Sequence, residues 1–340
     1  MKKRVDHRKQ TLFGGIAVLL TVCLLLLAFR IFTVLDAYRG RVDTSGDDAY
    51  AYANDGRPEY LVNGQWYVQR GNVETYLLIG IDKYETAIKD ADSYRNNQQS
   101  DALFLLAVDR KNASYSVIHI NRDTMANIRM LDLNGNPYDT FVGQLALSHT
   151  YGSGREDSCE NAVWSVSDYL YGLQIDHFLS VSMDAVGILS DQIGGVTLTV
   201  LDDMTMIDAA LEKGSTVILQ GAQALAYVRS RGGLTDSTNL SRMERQRQYI
   251  EAFLEQARTA VSADESLAAD ILLTISDYLV TDLGSQELLS LTEVLNNYDF
   301  TGIRTIEGEA RKGEQYMEFY TDEAMLKQMI LDVFYQEKQG

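Results

Sequence analysis

The sequence predicts a mixed α/β domain, in which helices flank a central, mostly antiparallel or mixed sheet, preceded by one N-terminal membrane-spanning helix. Three features support this prediction: residues 102–108 are apolar at every position, a second apolar run follows a short polar break, and later stretches have apolar residues at helical spacing. An uninterrupted apolar run is typical of a strand buried on both faces. Helices on both sides of a sheet would bury it in this way.

A short polar break sets the relative direction of two of the predicted central strands. Residues 111–114 form a polar break of hairpin length, so Ser116–Ile120 is predicted to pair antiparallel with residues 102–108. A third apolar run, Tyr76–Ile81, precedes a long charged segment at residues 83–100, which is either a mobile lid or a disordered insert. We predict that this run also pairs antiparallel with residues 102–108.

Charged residues lie at the ends of these three runs. Asp82 directly follows the third run and Asp101 directly precedes residues 102–108. Arg122 and Asp123 come just after the second run. Antiparallel pairing would bring all four to one rim of the sheet, where functional residues are often found. For any single acid, a solvated turn former is the simpler interpretation, but the convergence of three carboxylates and an arginine favours a site.

Downstream of the rim, the pattern predicts further helices and strands that complete the same domain, without a second domain boundary. The predicted helices are Glu160–Leu173, Met183–Ile193, one beginning at Asn239–Ser241, Leu267–Leu279, Gln286–Asn297 and Asp322–Tyr335, and the predicted strands are Phe178–Val181, Gly195–Val200, Ile303–Glu307 and Tyr316–Tyr320.

The N-terminal region has the pattern of a membrane anchor. Residues 11–29 carry no charge, and the apolar character continues through Leu35, which is long enough to span a bilayer core of ~30 Å. The basic residues before this run place the N-terminus in the cytoplasm. A cleaved signal peptide is the alternative, but the nearest Ala-x-Ala pattern, at residues 49–53, lies far beyond the apolar run. We therefore predict a cytoplasmic tail (1–10), a membrane anchor (11–35), an extracytoplasmic linker (36–71) and a folded domain (72–336).

Composition excludes several classes of function. The chain has 48 acidic and 30 basic residues and a net charge of −18, which disfavours binding to nucleic acid. Cys23 lies in the predicted anchor and leaves Cys159 alone outside it, so no intrachain disulfide is expected. His149 and His177 lack the spacing of paired ligands, so a metal site built on imidazoles is not expected.

A second group of polar residues lies near the start of the helix predicted after Asn239. Arg242 and Gln246 are four residues apart and share one helix face. Cations at a helix N-terminus oppose the helix dipole, so their presence suggests an anion such as phosphate at this end. Ordinary solvated arginines are the alternative.

Several motifs together resemble the LytR-CpsA-Psr (LCP) family of cell-wall phosphotransferases. They are YLLIGID ending at Asp82, SDALFLLAVD starting at Ser100, HINRDT around Arg122, IGGVTLTV, and LQGAQALAYVRSR followed by SRMERQ. No single motif is specific, but their order and spacing are. The resemblance covers Asn72–Tyr335 and the N-terminal span.

The resemblance implies a magnesium-dependent enzyme on the outer face of the cell membrane. Such enzymes transfer a glycopolymer, for example teichoic acid or capsule polysaccharide, from a polyprenyl-pyrophosphate carrier to peptidoglycan. By position, Asp82 and Asp101 would hold Mg²⁺, and Asp123 would orient Arg122 or accept a proton. The catalytic groups would be Asp101, Arg122 and Asp123, and the pyrophosphate would be bound by Arg122, Arg229, Arg231, Asn239, Arg242 and Gln246.

Four positions depart from the family pattern. Neutral Gln99 and Gln144 replace cations, Asn239 replaces an acid, and Asn121 replaces a proline. Loss of one charge-assisted contact could weaken substrate binding by ~1.5 to 3 kcal/mol. The alternatives are therefore a non-catalytic protein that binds polyprenyl phosphate or regulates the envelope, and an enzyme that simply hydrolyses the pyrophosphate.

Overall fold

The structure, a computed structural model, describes residues 49–82, 98–230 and 239–338. Its strands are β1 (Ala49–Tyr52), β2 (Pro58–Val62), β3 (Gln65–Gln69), β4 (Val73–Ile81), β5 (Ser100–Asp109), β6 (Ser114–Ile120), β7 (Met125–Leu131), β8 (Pro137–Gln144), β9 (His177–Ser182), β10 (Val196–Thr199), β11 (Thr216–Leu219), β12 (Leu279–Thr281), β13 (Asp299–Thr305), β14 (Gly308–Lys312), β15 (Met317–Thr321) and β16 (Tyr335–Glu337). Its helices are α1 (Glu156–Tyr169), α2 (Ala185–Gln192), α3 (Gly221–Arg229), α4 (Leu240–Ala263), α5 (Leu267–Ile275), α6 (Ser285–Asn297) and α7 (Glu323–Phe334).

The central sheet has six strands in the order β12-β9-β4-β5-β6-β13. β5 lies between β4 and β6 and pairs antiparallel with both, so that Leu105 is opposite Leu77 on one side and Ile118 on the other. The pairs β4–β9 and β6–β13 are parallel. The predicted mixed α/β fold and the antiparallel arrangement of its three central strands are therefore confirmed.

Helices cover both faces of this sheet. On one face, Leu77, Leu105 and Ile118 belong to a core completed by side chains of α1 and α7. On the other face, Tyr76 and Phe104 belong to a core completed by side chains of α4 and α6. Alternate residues of each strand thus point into different cores. This double burial explains the continuously apolar sequence of β5 and gives the rim of the sheet a rigid base.

The prediction of a linker over residues 36–71 is wrong from residue 49 onward. β1, β2 and β3 form an antiparallel sheet whose fourth strand is β16. The Tyr60 ring packs edge-on against the rings of Tyr171 and Tyr335, with centroids 5.8 and 5.9 Å away. These strands are short and separated by turns, and the closing strand lies more than 250 residues later, so no local pattern indicates the pairing.

Other differences concern the ends of elements and short hairpins. α1 begins at Glu156, four residues before the predicted start, and the hairpins β7–β8 and β14–β15 include strands that the sequence did not predict. β8 is mostly exposed and therefore lacks the apolar alternation of a half-buried strand. The predicted tail, anchor and residues 36–48 lie outside the described residues. Within the described ranges, no helix has the length and apolar character that crossing a bilayer requires.

Two substitutions of Tyr335 test the packing of the N-terminal sheet. Tyr335 is 4% exposed, and its hydroxyl has no hydrogen-bond partner among the described residues. We expect Tyr335→Ala to lower the free energy of unfolding by about 3–5 kcal/mol, because it removes a buried ring. Tyr335→Phe should leave stability unchanged or raise it by about 1 kcal/mol, because only an unpaired hydroxyl is lost. Urea unfolding measures both; equal effects would contradict the packing described.

Candidate functional site

The predicted rim exists at one end of the central sheet. β4 ends at Ile81, β5 begins at Ser100 and β6 ends at Ile120. The register places Gly80 opposite Ala102 and Leu103 opposite Ile120. The residues that follow or precede these positions, including Asp82, Asp101 and Arg122, therefore emerge together.

Two buried arginines surround Asp101. Arg122 Nη1 forms an ion pair with Asp101 Oδ1, and Arg122 Nη2 donates a hydrogen bond to Gln99 Oε1. Arg242 Nη1 lies 3.8 Å from the same Asp101 oxygen, and Nη2 donates to the Asp101 carbonyl oxygen at 3.3 Å. The Arg122 and Arg242 side chains are 7% and 4% exposed. The carboxylate of Asp101 therefore holds two guanidinium groups together at the rim.

Asp82 connects this group to Arg229. Arg229 Nη2 donates to Asp82 Oδ2 at 3.0 Å, and both side chains are about half exposed. Burial raises the pKa of Asp101; Arg122 opposes that rise, and the neighbouring Asp82 carboxylate adds to it. The guanidinium groups of Arg122 and Arg229, 107 positions apart in sequence, thus contact adjoining carboxylates on one side of the molecule.

Arg245 fixes the backbone that carries Arg229. Its side chain is fully buried, its Nε donates to the Tyr227 carbonyl oxygen at 2.9 Å, and its Nη2 donates to the Ser230 carbonyl oxygen at 2.5 Å. Nη1 forms an ion pair with Asp202 at 2.5 Å. Arg245 was not among the residues predicted for the site. Its position three residues after Arg242, on a neighbouring part of the same helix face, was the available signal.

Asp123 is held beside Arg122. Its Oδ1 lies 3.6 Å from Arg122 Nε and accepts a hydrogen bond from Gln144 Nε2 at 3.0 Å. Gln144 Nε2 also donates to the Met317 carbonyl oxygen at 2.7 Å. This geometry suits a residue that orients Arg122. Proton acceptance by Asp123 stays a prediction.

Two of the departures from the family pattern contact each other. Asn239 Nδ2 donates to Asn121 Oδ1 at 3.1 Å, and the same oxygen accepts from the Asp123 backbone N–H at 3.0 Å. α4 begins at Leu240, as predicted, but the Asn239 side chain does not cap the helix. Asn239 Oδ1 is buried and has no hydrogen-bond partner among the described residues. The asparagine pair therefore joins the start of α4 to the turn that carries Arg122.

Gln246 lies where the polar rim meets an apolar cavity. Its Nε2 donates to the Val228 carbonyl oxygen at 3.2 Å, and its side chain lines a cavity of about 300 Å³ between the sheet and helices α2, α4 and α6. Gly80 and Ala102 also line the cavity, and each is one or two residues from a rim carboxylate. An apolar cavity thus begins beside the residues that form the polar rim.

His119 is a second residue that the sequence analysis missed. It is 1% exposed and stacks on Phe104 with ring centroids 4.1 Å apart. Burial, with Arg242 nearby, lowers the pKa of His119 to about 3, while a hydrogen bond with Gln246 opposes the shift. The imidazole is therefore neutral at physiological pH and supports Gln246 from inside the core. An isolated histidine in an apolar strand carries no sequence signal for this role.

The predicted metal ligands form a carboxylate pair. Arg122 and Arg242 approach Asp101 Oδ1, and Arg229 contacts Asp82 Oδ2. The Asp82 carboxylate also raises the pKa of Asp101, so the two carboxylates are close neighbours. No cluster of three or more His, Cys, Asp or Glu residues that could hold a metal occurs in the described ranges. Mg²⁺ commonly binds one or two carboxylates plus water and phosphate oxygens, so this pair fits it. Arg231 lies outside the described residues.

The site places arginines at the rim of the sheet, next to one end of an apolar cavity, and this arrangement suits an amphiphilic anion. The sequence profile of the LytR_cpsA_psr family matches residues 38–334, and the chain belongs to this family. The family resemblance seen in the motifs is thereby confirmed.

Two curated relatives are named as polyisoprenyl-teichoic acid–peptidoglycan teichoic acid transferases. TagU of Halalkalibacterium halodurans is 29% identical over 220 residues, which are 64% of this chain and 66% of TagU. TagV of Bacillus subtilis is 24% identical over 236 residues, which are 68% of this chain and 55% of TagV. The chain thus spans between half and two thirds of the length of these relatives.

The fold is also similar to solved structures. The structure titled "TagT bound to LI-WTA" matches with a TM-score of 0.57 and 20% identity, over 77% of this chain and 90% of TagT. At this level of identity the match supports the fold.

Proposed function

We propose that this protein transfers a glycopolymer from a polyprenyl-pyrophosphate carrier to peptidoglycan. The observation that carries the proposal is the placement of Arg122, Arg242 and Arg229 at the rim, next to the end of an apolar cavity. A lipid-linked glycopolymer has a dianionic diphosphate between an apolar chain and a polar sugar. The arginines match the diphosphate, and the cavity matches the chain. The names of the curated relatives support the same substrates.

The proposed reaction needs mainly positioning and neutralisation of charge. A hydroxyl group of the acceptor attacks the phosphorus that bears the glycopolymer, a new P–O bond forms, and the bond to the bridging oxygen breaks. Polyprenyl phosphate leaves with the bridging oxygen and its negative charge. Arginine suits this role because its planar fork binds phosphate oxygens bidentately and stays charged. Arg122 and Arg242 are buried, so their positions are set before the substrate binds.

The carboxylates have separate proposed roles. Asp101 aligns Arg122 and Arg242, and Asp123 holds Arg122 from the Nε side and is the candidate acceptor for the proton of the attacking hydroxyl. Asp82 and Asp101 would hold Mg²⁺, which when bound supplies positive charge to the diphosphate.

The neutral residues that depart from the family pattern have defined partners. Gln99 accepts a hydrogen bond from Arg122, and Gln144 donates one to Asp123. Arg122 is therefore held in place even though Gln99 and Gln144 are neutral where the family pattern has cations. This supports an active enzyme over a non-catalytic binding protein.

We further propose that residues 11–35 anchor the chain in the cell membrane as a single span. The tail at 1–10 would be cytoplasmic and the LCP domain extracytoplasmic, where the peptidoglycan acceptor is located. The uncharged run and the basic residues before it support this orientation.

Reconstitution of the full chain in detergent tests the proposal. With a polyprenyl-pyrophosphate-linked glycopolymer, Mg²⁺ and peptidoglycan, we expect the polymer to become covalently attached to peptidoglycan and polyprenyl phosphate to be released. Release of polyprenyl phosphate at the same rate without peptidoglycan would indicate hydrolysis. Tight donor binding without either product would indicate a binding or regulatory protein.

Asp82→Asn tests the metal site and the acid limb of the pH profile. It removes a proposed ligand, so the Mg²⁺ concentration for half-maximal rate should rise at least ~10-fold. Asp82 also raises the pKa of Asp101, so its replacement should lower that pKa. Because ionised Asp101 is needed, the rate at saturating Mg²⁺ should then decline at a lower pH than in the parent.

Asp203→Asn, which changes an exposed carboxylate outside the site, is the control and should alter neither quantity. An Asp82→Asn protein with the parental Mg²⁺ dependence would remove Asp82 from the metal site.

A further inference from the structure

The apolar cavity extends away from the rim. Gln246 lies at the rim end, and Leu254, eight residues later on α4, lines the same cavity, which corresponds to about 12 Å along a helix. On β5, Ala102 and Leu106 line it and lie about 13 Å apart along an extended strand. The cavity therefore runs along α4 and β5 away from the rim, and Tyr115 and Leu295 line its far end.

Tyr115 at the far end is fixed by hydrogen bonds. It is 1% exposed, and its hydroxyl donates to the Leu295 carbonyl oxygen at 3.2 Å. The same hydroxyl accepts from Arg258 Nη2 at 3.2 Å. Phe300 packs against the ring with centroids 5.2 Å apart. Both the ring and the hydroxyl of Tyr115 are therefore held in one position.

Arg258 packs against Tyr115 and Leu295, which line this end of the cavity. Its Nε donates to the Leu295 carbonyl oxygen at 2.8 Å, and Nη2 also donates to the Tyr298 carbonyl oxygen. The guanidinium carbon lies 5.6 Å from the centre of the Tyr115 ring, in cation–π contact. The end of α6 and the side chains of α4 and β6 are thus joined by one polar network.

The far end of the cavity is held by hydrogen bonds, whereas its walls are not. The walls consist mostly of apolar side chains such as Phe253 and Leu254, which change rotamer without losing hydrogen bonds. Displacing Tyr115 would leave its buried hydroxyl without partners and would remove one hydrogen bond each from Arg258 and the Leu295 carbonyl oxygen. An apolar ligand entering from the rim therefore meets adaptable walls and a fixed end.

We propose that Tyr115 and Arg258 form a floor that limits how many isoprenyl units of the carrier lipid the cavity binds. The inference rests on the proposed function, since it takes the apolar ligand to be the polyprenyl chain of the donor. Each isoprenyl unit that enters the cavity removes apolar surface from water and strengthens binding. Units beyond the floor remain outside and add no affinity.

Binding of prenyl pyrophosphates of increasing length to the full chain in detergent tests the floor. The probes are geranyl, farnesyl, geranylgeranyl and longer polyprenyl pyrophosphates, and their affinities are measured by competition. For the parent, we expect each added unit to raise affinity at least ~10-fold until the cavity is filled, followed by a plateau. In Tyr115→Ala the plateau should begin at a longer chain.

Three further variants separate the floor from general changes in packing. Arg258→Met, which keeps the ring of Tyr115 but removes the polar seal, should also move the plateau to longer chains and serves if Tyr115→Ala fails to fold. Tyr115→Phe, which keeps the ring and the stacking, should move it less than either. Met183→Ala shortens a wall side chain that directly follows the rim end of β9, so it should lower affinity for every length without moving the plateau.

The outcomes distinguish the floor from the proposed function. A folded Tyr115→Ala or Arg258→Met protein whose plateau begins at the parental length would overturn the floor while leaving the proposed function intact. A parent protein that binds no prenyl pyrophosphate of any length would overturn both.

Discussion

Replacing Arg122 by alanine is expected to lower the rate of glycopolymer transfer by roughly 10²–10³-fold, the usual effect of removing one preorganised donor from a site of developing charge. Arg122 contacts Asp101, Gln99 and Asp123 while being only 7% exposed, so no other side chain can take its place without rearrangement of the rim. Transfer to peptidoglycan at saturating donor measures the effect.

Arg122→Ala should lower the free energy of unfolding as well as the rate. Breaking a buried ion pair typically costs about 3–5 kcal/mol. Asp101 keeps Arg242, 3.8 Å away, so we expect a loss near the lower end of this range. Burial already raises the pKa of Asp101, and loss of the opposing Arg122 should raise it further. The folded state then gains stability as the pH falls and Asp101 takes up a proton, so the deficit against the parent should shrink at lower pH.

Two variants control the Arg122 experiment. Arg122→Lys keeps the charge without the bidentate fork and should retain an intermediate rate. Arg311→Ala removes an exposed arginine on β14 that pairs with Glu309 and should leave the rate unchanged. A parental rate in Arg122→Ala would refute its assigned role.

Replacing Asp101 by asparagine is expected to separate activity from stability. Transfer should fall at least ~10²-fold even with excess Mg²⁺, because the variant loses a proposed metal ligand and the charge that aligns Arg122 with Arg242. The free energy of unfolding at pH 7 should fall by less than in Arg122→Ala. Burial raises the pKa of Asp101, so the folded protein tolerates a neutral group at this position better than an unpaired carboxylate.

Rate and urea-unfolding measurements on the same Asp101→Asn preparation check this separation. An unfolded protein, or a folded protein with parental activity, would contradict it. Asp264→Asn, at an exposed carboxylate that follows α4, is the matched control and should affect neither measurement.

The sequence predicted those parts of the fold in which local pattern and long-range structure agree. Residues 102–108 are buried by helices on both faces, so their apolar pattern identified the central strand. The break at residues 111–114 fixed the direction of β6. Since strand direction decides which ends meet, the convergence of Asp82, Asp101 and Arg122 followed from one turn and one predicted pairing.

What the sequence did not predict depends on partners far apart in the chain. β1–β3 are closed by β16, and Asn121 contacts Asn239 across 118 positions. His119 and Arg245 act through buried contacts with other parts of the site. His119 has no sequence signal, and Arg245 has only its position three residues after Arg242. The roles of such residues are apparent only from their neighbours in the folded protein.

A structure of the protein with a polyprenyl pyrophosphate and Mg²⁺ bound would show which side chains hold the diphosphate and where the prenyl chain lies. We expect the diphosphate in contact with the guanidinium groups of Arg122, Arg229 and Arg242, the metal on Asp82 and Asp101, and the prenyl chain in the cavity that ends at Tyr115. A diphosphate bound away from these arginines, or a prenyl chain outside the cavity, would contradict this expectation.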